Sequence, residues 1–419
     1  MYSGGITSEI NRNRIRITAK ANRGKRIAAK QQEGVCCMGT TEEKVHSIDE
    51  LFSEMEQAID NPQKAFENYR AENQKAIGCI PYFAPYELVD AAGLYPIELW
   101  GGDTEISRAN GYYPAFYCSI LVTLMERALR GEYNYLSGVI IPTTCDGLRN
   151  LEENWKFGVP DIPVMSLVQP TNRTHPAAEE YLLTELETIK EKLEEISGNT
   201  ITDKALRTSI NAYNKQRAAM RAFDEVAAQH PGVVTPWKRH VVYKAAQVLP
   251  VRIHAEMVEQ LNELLRALPD NSFKGLRLVT TGILLDSKPL LDELEKQNIA
   301  IVGDVLTAES VRFAQDAPGN VDPFVSLAHI WLDVQNTSVA LDPTKQRGET
   351  LAALAKERKA DGALINVTKF CEEEEYDYPV IKKQLADAGV PLLYLETAQQ
   401  DHINEQATTR IQAFAEMIG

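Results

Sequence analysis

The chain has 419 residues, a formal net charge of −15 at pH 7 and 44% hydrophobic residues. Its length exceeds the size at which one hydrophobic core keeps growing, which favours two domains. The acidic balance argues against a nucleic-acid partner, because binding to phosphates needs a clustered cationic face. We find no apolar run of membrane-spanning length and no secretory signal, and therefore expect a cytoplasmic protein with reduced thiols.

The first 37 residues differ from the rest of the sequence. They are basic and show little apolar periodicity, whereas Met38 is followed at once by an acidic, well-patterned segment. We expect residues 1–43 to be a disordered basic extension and Met38 to be the natural start, which leaves Cys36 and Cys37 without a role. A targeting or binding arm is the alternative.

Two helices are predicted next. Ser47 and Glu50 have the spacing of a capping box, and apolar side chains follow at helical spacing. Asn61-Pro62 is expected to end the first helix and begin the second.

Eight apolar runs then predict the strands of parallel sheets, because helical segments separate several of them. Four runs form a first group, at 76–83, 93–100, 137–144 and 162–168. Four form a second group, at 276–285, 299–306, 362–370 and 390–396. Between the groups, from Ala177 to about Leu268, only helical periodicity is found, with Gly198 as a helix end.

This pattern predicts an α/β protein in which two parallel-sheet domains are joined by a helical region. We place the boundaries at 44–175, 176–267 and 268–419. In open parallel sheets ligands bind at the carboxyl ends of the strands, and two such domains form a cleft.

Three cysteines stand where an apolar run gives way to a helix-like run: Cys118, Cys145 and Cys371. Helix N-termini carry unpaired N–H groups and partial positive charge, which favour a thiolate or a thiolate-bound cluster. The spacing fits no zinc motif, so a metal site would have to be assembled by folding. Each cysteine alone is better explained as a small buried hydrophobe, but their shared context indicates one metal site.

Other kinds of site find little support. The sequence has no GxGxxG or Walker loop, no HxxxH pair and no GxSxG elbow. The acidic run Glu372 to Glu375 follows Cys371 and resembles a carboxylate site, but acidic residues in the first turn of a helix are already explained by the helix dipole.

The motifs IGCIPYF (77–83), AFYCS (115–119), TTCDGL (143–148) and KFCEEEEYDYP (369–379) carry a family resemblance. Together with their flanking segments they resemble the 2-hydroxyacyl-CoA dehydratase family, in particular its smaller, β-type subunit. The resemblance covers about residues 45–419.

The resemblance implies a heterodimer of related subunits, each with two flavodoxin-like, or Rossmann-like, α/β domains and a helical region. It implies that Cys118, Cys145 and Cys371 hold a [4Fe–4S] cluster. A separate ATP-dependent iron–sulfur activator protein would supply one electron, which the β-type subunit relays to the α-type subunit, where most of the acyl-CoA binds. There the thioester would become a ketyl radical and lose water to give the 2-enoyl-CoA.

Four further residues are considered near this site. Cys79 is assigned to the pocket wall, with a fourth ligand as the alternative, and Tyr82, Glu87 and Glu98 are weaker pocket candidates. Two other functions remain open: a subunit of a related reductase of the benzoyl-CoA type, and a cluster-free α/β ligand-binding subunit whose cysteines are only packed thiols.

Overall fold

A computed structural model describes residues 46–81, 83–269, 273–400 and 405–419. The predictions for residues 1–43, including Cys36, Cys37 and Met38, lie outside the described residues. Among the helices of the described ranges, none combines the length and hydropathy that a membrane span requires.

Two helices open the described chain, α1 (Ile48–Asp60) and α2 (Pro62–Tyr69). The capping box is present: the Glu50 N–H donates to Ser47 Oγ at 3.2 Å, and the Ser47 N–H donates to Glu50 Oε2 at 2.7 Å. The side chain of Asn61 caps α2 in turn by accepting from the Lys64 N–H at 2.9 Å. Both predicted helices are confirmed.

The first sheet has four parallel strands in the order β2-β1-β3-β4. The strands are β1 (Ala76–Cys79), β2 (Tyr95–Glu98), β3 (Leu136–Pro142) and β4 (Val164–Leu167). Parallel neighbours need crossover connections, and these contain α3 (Tyr86–Ala91), α4 (Ser119–Leu129) and α5 (Asp146–Gly158).

Helices alone follow. They are α6 (Ala178–Ser197), α7 (Asp203–Ala227), α8 (Pro236–Ala245) and α9 (Val251–Arg266). As the sequence predicts, α6 ends at Gly198, whose φ of +74° is the left-handed conformation that glycine adopts at helix ends.

The second sheet repeats the topology of the first. Its parallel strands β5 (Leu276–Gly282), β6 (Ile299–Leu306), β7 (Gly362–Thr368) and β8 (Leu392–Thr397) lie in the order β6-β5-β7-β8. The remaining helices are α10 (Lys288–Lys296), α11 (Ser310–Phe313), α12 (Pro323–Leu332), α13 (Arg347–Glu357), α14 (Glu372–Asp387) and α15 (Glu405–Ile418).

Numbered within each sheet, the strand order is 2-1-3-4 in both, which is how the flavodoxin-like order begins. The predicted α/β fold with two Rossmann-like parallel-sheet domains is confirmed, and all eight strands lie within or next to the predicted runs. The domain boundaries at 44–175, 176–267 and 268–419 stay predictions.

One hydrophobic core connects these parts. Ile77 of the first sheet, Leu206 of α7 and Val279 of the second sheet belong to the same buried cluster. Helix α7 contacts both α3 and α11, so the helical segment packs against the helices of both sheets. The carboxyl ends of the two sheets are thus held within one packed body.

Candidate functional site

Each of the three predicted ligands is the N-cap of a helix. Cys118 precedes α4, Cys145 precedes α5 and Cys371 precedes α14. Because the first helical turn leaves backbone N–H groups unpaired and carries the positive end of the dipole, all three sulfurs lie where negative charge on sulfur is stabilised.

A single pocket brings Cys118, Cys145 and Cys371 together, and we call it the cysteine pocket. Its volume is about 280 Å³, against roughly 10–15 Å³ needed to hold one water, so a polyatomic group fits. Phe116 and Phe370 also line it and are 71% and 45% exposed. The pocket therefore opens to the surface beside two unusually exposed aromatic rings.

Two of the cysteines occupy equivalent places in the two sheets. Cys145 lies three residues after the end of β3, and Cys371 three residues after the end of β7, each the third strand of its sheet. This is the carboxyl edge at which open parallel sheets bind ligands. The strand-to-helix context inferred from the sequence is correct for both.

Cys118 departs from that expectation, because no strand immediately precedes it. Strand β2 ends at Glu98, and a long loop containing a 3₁₀ turn at Ala109–Gly111 leads to α4. The loop is fixed by Glu126, a buried residue of α4 that sequence reasoning missed. Its Oε2 accepts three backbone N–H bonds, from Ser107 at 3.0 Å, Arg108 at 2.7 Å and Ala109 at 2.8 Å.

Tyr117 is a second residue of the pocket that the sequence analysis did not single out. Its hydroxyl accepts a hydrogen bond from Asn150 Nδ2 at 2.8 Å, and its ring stacks on Tyr113 with centroids 4.6 Å apart. Asn150 lies in α5, just after Cys145, so this bond connects the segment of Cys118 to the helix of Cys145. The signal available in the sequence was its place beside Cys118 in AFYCS.

Burial raises the pKa of all three thiols. The pKa of Cys118 rises to about 11, that of Cys145 to about 12, and that of Cys371 well above its usual value. The carboxylate of Glu373, 3.6 Å from Cys371 Sγ, raises all three further because a nearby negative charge disfavours a thiolate. A cationic group must therefore displace the thiol protons when it binds.

The sulfurs do have donors suited to a thiolate-bound group. The Leu148 N–H donates to Cys145 Sγ at 3.4 Å. The side chains of Cys118 and Cys371 accept no such cap hydrogen bond, but the nearby backbone N–H groups of Ile120 and Glu374 act against burial and lower the pKa values of these two thiols. Hydrogen bonds to sulfur are one of the means by which proteins tune iron–sulfur clusters. The chemistry of the three sulfurs thus fits such a cluster.

Within the described residues, no group of three or more His, Cys, Asp or Glu side chains is arranged to hold a metal ion. The four described cysteines, which include Cys79, are free thiols. A cluster spreads its cysteine ligands over several irons, so the sulfurs need only face a common cavity and do not have to converge on one point. The shared pocket meets that weaker requirement.

The acidic run after Cys371 has two different roles. Glu372 and Glu375 are exposed in the first turn of α14, as the dipole interpretation expects. Glu374 is instead buried, and its Oε1 accepts from Arg347 Nη1 at 2.6 Å and from Ser338 Oγ at 2.7 Å. The dipole interpretation is therefore incomplete, since this carboxylate, three residues after Cys371, forms a buried ion pair with Arg347.

The assignment of Cys79 to the pocket wall is wrong. Its side chain is fully buried, points toward the carbonyl of Ile77 and does not line the cysteine pocket. Burial, and then the neighbouring Glu98, raise its pKa far above the usual value. Cys79 is a core thiol of β1, which also removes it as a candidate fourth ligand in this arrangement.

Glu87 and Glu98 do not line the cysteine pocket either. Each forms a buried ion pair, Glu87 with Arg217 and Glu98 with Arg312. Their role is to stabilise the packing between the first sheet and later helices. Tyr82 lies outside the described residues.

These features define an α/β protein with two sheets of the same topology and a pocket to which both contribute cysteines. A family model described as 2-hydroxyglutaryl-CoA dehydratase, D-component, matches residues 81–418. The chain belongs to this family, and the resemblance to the 2-hydroxyacyl-CoA dehydratases is confirmed.

Three relatives are β subunits of such enzymes. The (R)-phenyllactyl-CoA dehydratase beta subunit of Clostridium sporogenes is 42% identical over 88% of this chain and 99% of that protein. The lactoyl-CoA dehydratase subunit beta of Anaerotignum propionicum is 38% identical over 88% and 99%. The (R)-2-hydroxyglutaryl-CoA dehydratase subunit beta of Acidaminococcus fermentans is 34% identical over 89% and 100%.

Proposed function

We propose that this chain is the β-type subunit of a 2-hydroxyacyl-CoA dehydratase and that Cys118, Cys145 and Cys371 hold a [4Fe–4S] cluster. The observation that carries the proposal is that three helix N-caps, distant in sequence, supply cysteines to one pocket. When bound, such a cluster stores and transfers one electron at low potential. In this protein that electron would pass to an α-type subunit.

The proposed reaction removes water from a 2-hydroxyacyl-CoA to give the 2-enoyl-CoA. The hydrogen at C3 is barely acidic, so we propose that one electron first converts the thioester to a ketyl radical, which expels the 2-hydroxyl and is then readily deprotonated. The electron is recovered at the end of the cycle. We assign these steps mainly to the α-type subunit, which leaves electron relay to this chain.

The residues of the cysteine pocket suit electron relay better than acid–base work. The side chains of Phe116, Ile120 and Phe370 line the pocket with apolar surface, and the Leu148 N–H donates to Cys145 Sγ, which stabilises negative charge on that sulfur. The exposed rings of Phe116 and Phe370 at the opening support the idea that this face is covered by an α-type partner or by the ATP-dependent activator.

A related function is reduction of an aryl-CoA. A benzoyl-CoA reductase polypeptide of Thauera aromatica is 26% identical over 80% of this chain and 90% of that protein. Identity to the dehydratase subunits is higher, 42% for the phenyllactyl-CoA enzyme, which favours the dehydratase.

The cluster is tested by anaerobic purification and reconstitution, followed by iron and sulfide analysis. We expect about four irons and four sulfides per chain and loss of most of the iron in Cys118→Ser, Cys145→Ser and Cys371→Ser, with the fold retained by circular dichroism. Cys79→Ala is the matched control and should keep its iron. A colourless, iron-free wild-type protein after reconstitution would contradict the proposal and leave the cluster-free alternative.

The reaction is tested with the chain assembled with an α-type subunit and the activator under reducing, anaerobic conditions with ATP. We expect formation of 2-enoyl-CoA from a 2-hydroxyacyl-CoA and none when this chain is omitted. Reduction of benzoyl-CoA without dehydration of any 2-hydroxyacyl-CoA would instead favour the reductase.

A further inference from the structure

The cysteine pocket depends on how the two sheets are placed relative to each other. Cys118 and Cys145 belong to the first sheet region, whereas Cys371 follows β7 of the second. A small displacement between the regions would separate Cys371 from the other two sulfurs. A contact that fixes the two regions close to one of these cysteines therefore bears directly on the site.

Gln399, two residues after the end of β8, makes such a contact. Its Oε1 accepts from Thr123 Oγ1 at 2.6 Å and from the Gly102 N–H at 3.1 Å. Its Nε2 donates to the carbonyl of Trp100 at 2.8 Å and to Asp286 Oδ2 at 3.0 Å. Both hydrogens and both acceptor positions of this amide are thus used, and three of the four partners lie in the first sheet region.

The backbone of Gln399 extends the contact to the helix that Cys118 caps. Its N–H donates to Ser119 Oγ at 3.3 Å, and Ser119 is the residue immediately after Cys118. Thr123, the partner of the side chain, lies one turn further along α4 and is completely buried. A residue that follows the second sheet is therefore bonded to the first two turns of the helix that begins at Cys118.

The loop opposite Gln399 is shaped for this approach. Gly101 has φ of +76°, and a Cβ atom there would lie 2.1 Å from Thr123 Oγ1 and 2.7 Å from Gln399 Oε1. Only a residue without a side chain leaves room for the bond between Thr123 and Gln399. Gly101, Thr123 and Gln399 thus form one closely fitted contact, which we call the Gln399 contact.

We propose that Gln399 is a positioning residue for the cysteine pocket: it holds the start of α4, and with it Cys118, in register with the second sheet that carries Cys371. This inference rests on the proposed function for its consequence in iron retention. The placement of Cys118 relative to Cys371, in contrast, does not depend on any bound group.

The placement is measured on iron-free protein with dibromobimane, which becomes fluorescent only when two nearby thiols displace its two bromides. Cys36 and Cys37 are replaced by Ser throughout. With Cys145→Ser added, the reagent reports on Cys118 and Cys371, across the two regions. With Cys371→Ser added instead, it reports on Cys118 and Cys145, within the first.

We expect Gln399→Ala to lower the yield of the Cys118–Cys371 crosslink by roughly fivefold or more, because several hydrogen bonds are lost together. The Cys118–Cys145 yield should not change. Thr123→Val removes one bond while keeping side-chain shape, and should lower the first yield less. Gln384→Ala is the matched control, since Gln384 Nε2 donates to the Lys345 carbonyl within the second region.

Equal Cys118–Cys371 yields in Gln399→Ala and the parent protein would overturn the inference, as would an equal fall of both crosslinks. If Gln399→Ala fails to fold, the two crosslink yields are compared in the same way for Thr123→Val, which stays closer to the native packing. In the reconstituted protein with all cysteines present, Gln399→Ala should retain less iron than Gln384→Ala after gel filtration. If the wild-type protein binds no iron, the proposed function fails while the crosslinks still decide the role of Gln399.

Discussion

Strand β3 of the first sheet and β7 of the second each lead into a cysteine that caps the next helix, yet the two regions support their cysteines differently. In the second, the helix that Cys371 caps is fixed by the buried ion pair of Arg347 and Glu374. In the first, Cys118 depends on a long loop whose backbone is bonded to Glu126. The comparison shows that the repeated topology places Cys145 and Cys371, whereas Cys118 is placed by a loop, and that unrelated polar contacts support the two regions.

The largest effect is expected in the second region, from Arg347→Met. Glu374 would then be a buried carboxylate without its cation, which costs about 3–5 kcal/mol of the free energy of unfolding. Urea unfolding followed by circular dichroism measures this. Adding Glu374→Gln to Arg347→Met removes the uncompensated charge and should recover part of the loss. If the free energy of unfolding of Arg347→Met lies within about 1 kcal/mol of the wild-type value, the ion pair does not stabilise the fold.

A smaller effect is expected in the first region, from Glu126→Gln. The amide cannot accept from three backbone N–H groups and also pair with Arg130, so we expect a loss of about 1–3 kcal/mol. Iron retention should fall as well, because the loop leads to Cys118. Glu132→Gln, which breaks the more exposed ion pair with Arg127, is the control and should cost about 1 kcal/mol or less.

Wild type and Glu126→Gln should also differ in how their stability depends on pH. Burial opposes ionisation of Glu126, but the hydrogen bonds from Ala109 and Ser107 outweigh it and lower its pKa to about 2 from 4.5. A lowered pKa stabilises the folded protein above the unfolded value and ceases to do so as pH falls through the folded value. The stability advantage of wild type over Glu126→Gln should therefore be full above about pH 4.5 and decline toward pH 2; an advantage independent of pH would contradict the assignment.

The smallest effect on stability is expected at the start of α1, outside the cysteine pocket. Ser47→Ala removes the cap of α1 and should cost about 1 kcal/mol. Thermal unfolding measures the loss, and iron content should equal that of wild type. A fall in iron as large as the one measured for Glu126→Gln would mean that iron content reports general stability and not the pocket.

The sequence predicted the local elements well, because each is encoded by neighbouring residues. The capping box at Ser47, the helix end at Gly198 and all eight strands follow from short patterns of polarity and turn residues. The placement of Cys145 and Cys371 followed in turn, since parallel strands end at a common edge.

What the sequence could not provide were contacts between distant residues. Glu126, Arg347 and Gln399 are unremarkable in their own segments, and their partners lie elsewhere in the chain. Cys79 was misplaced because it belongs to β1 itself and faces the core. Glu374 was misread because the helix turns its side chain inward while those of Glu372 and Glu375 stay exposed.

The order of the cysteines along the chain has a consequence for biosynthesis. Cys118 and Cys145 leave the ribosome long before Cys371, and Gln399 follows later still. The pocket is therefore incomplete until the second sheet region has been synthesised. Any group held jointly by the three thiols can be bound by all of them only after both sheet regions exist, so its assembly follows the synthesis of the first region and does not accompany it.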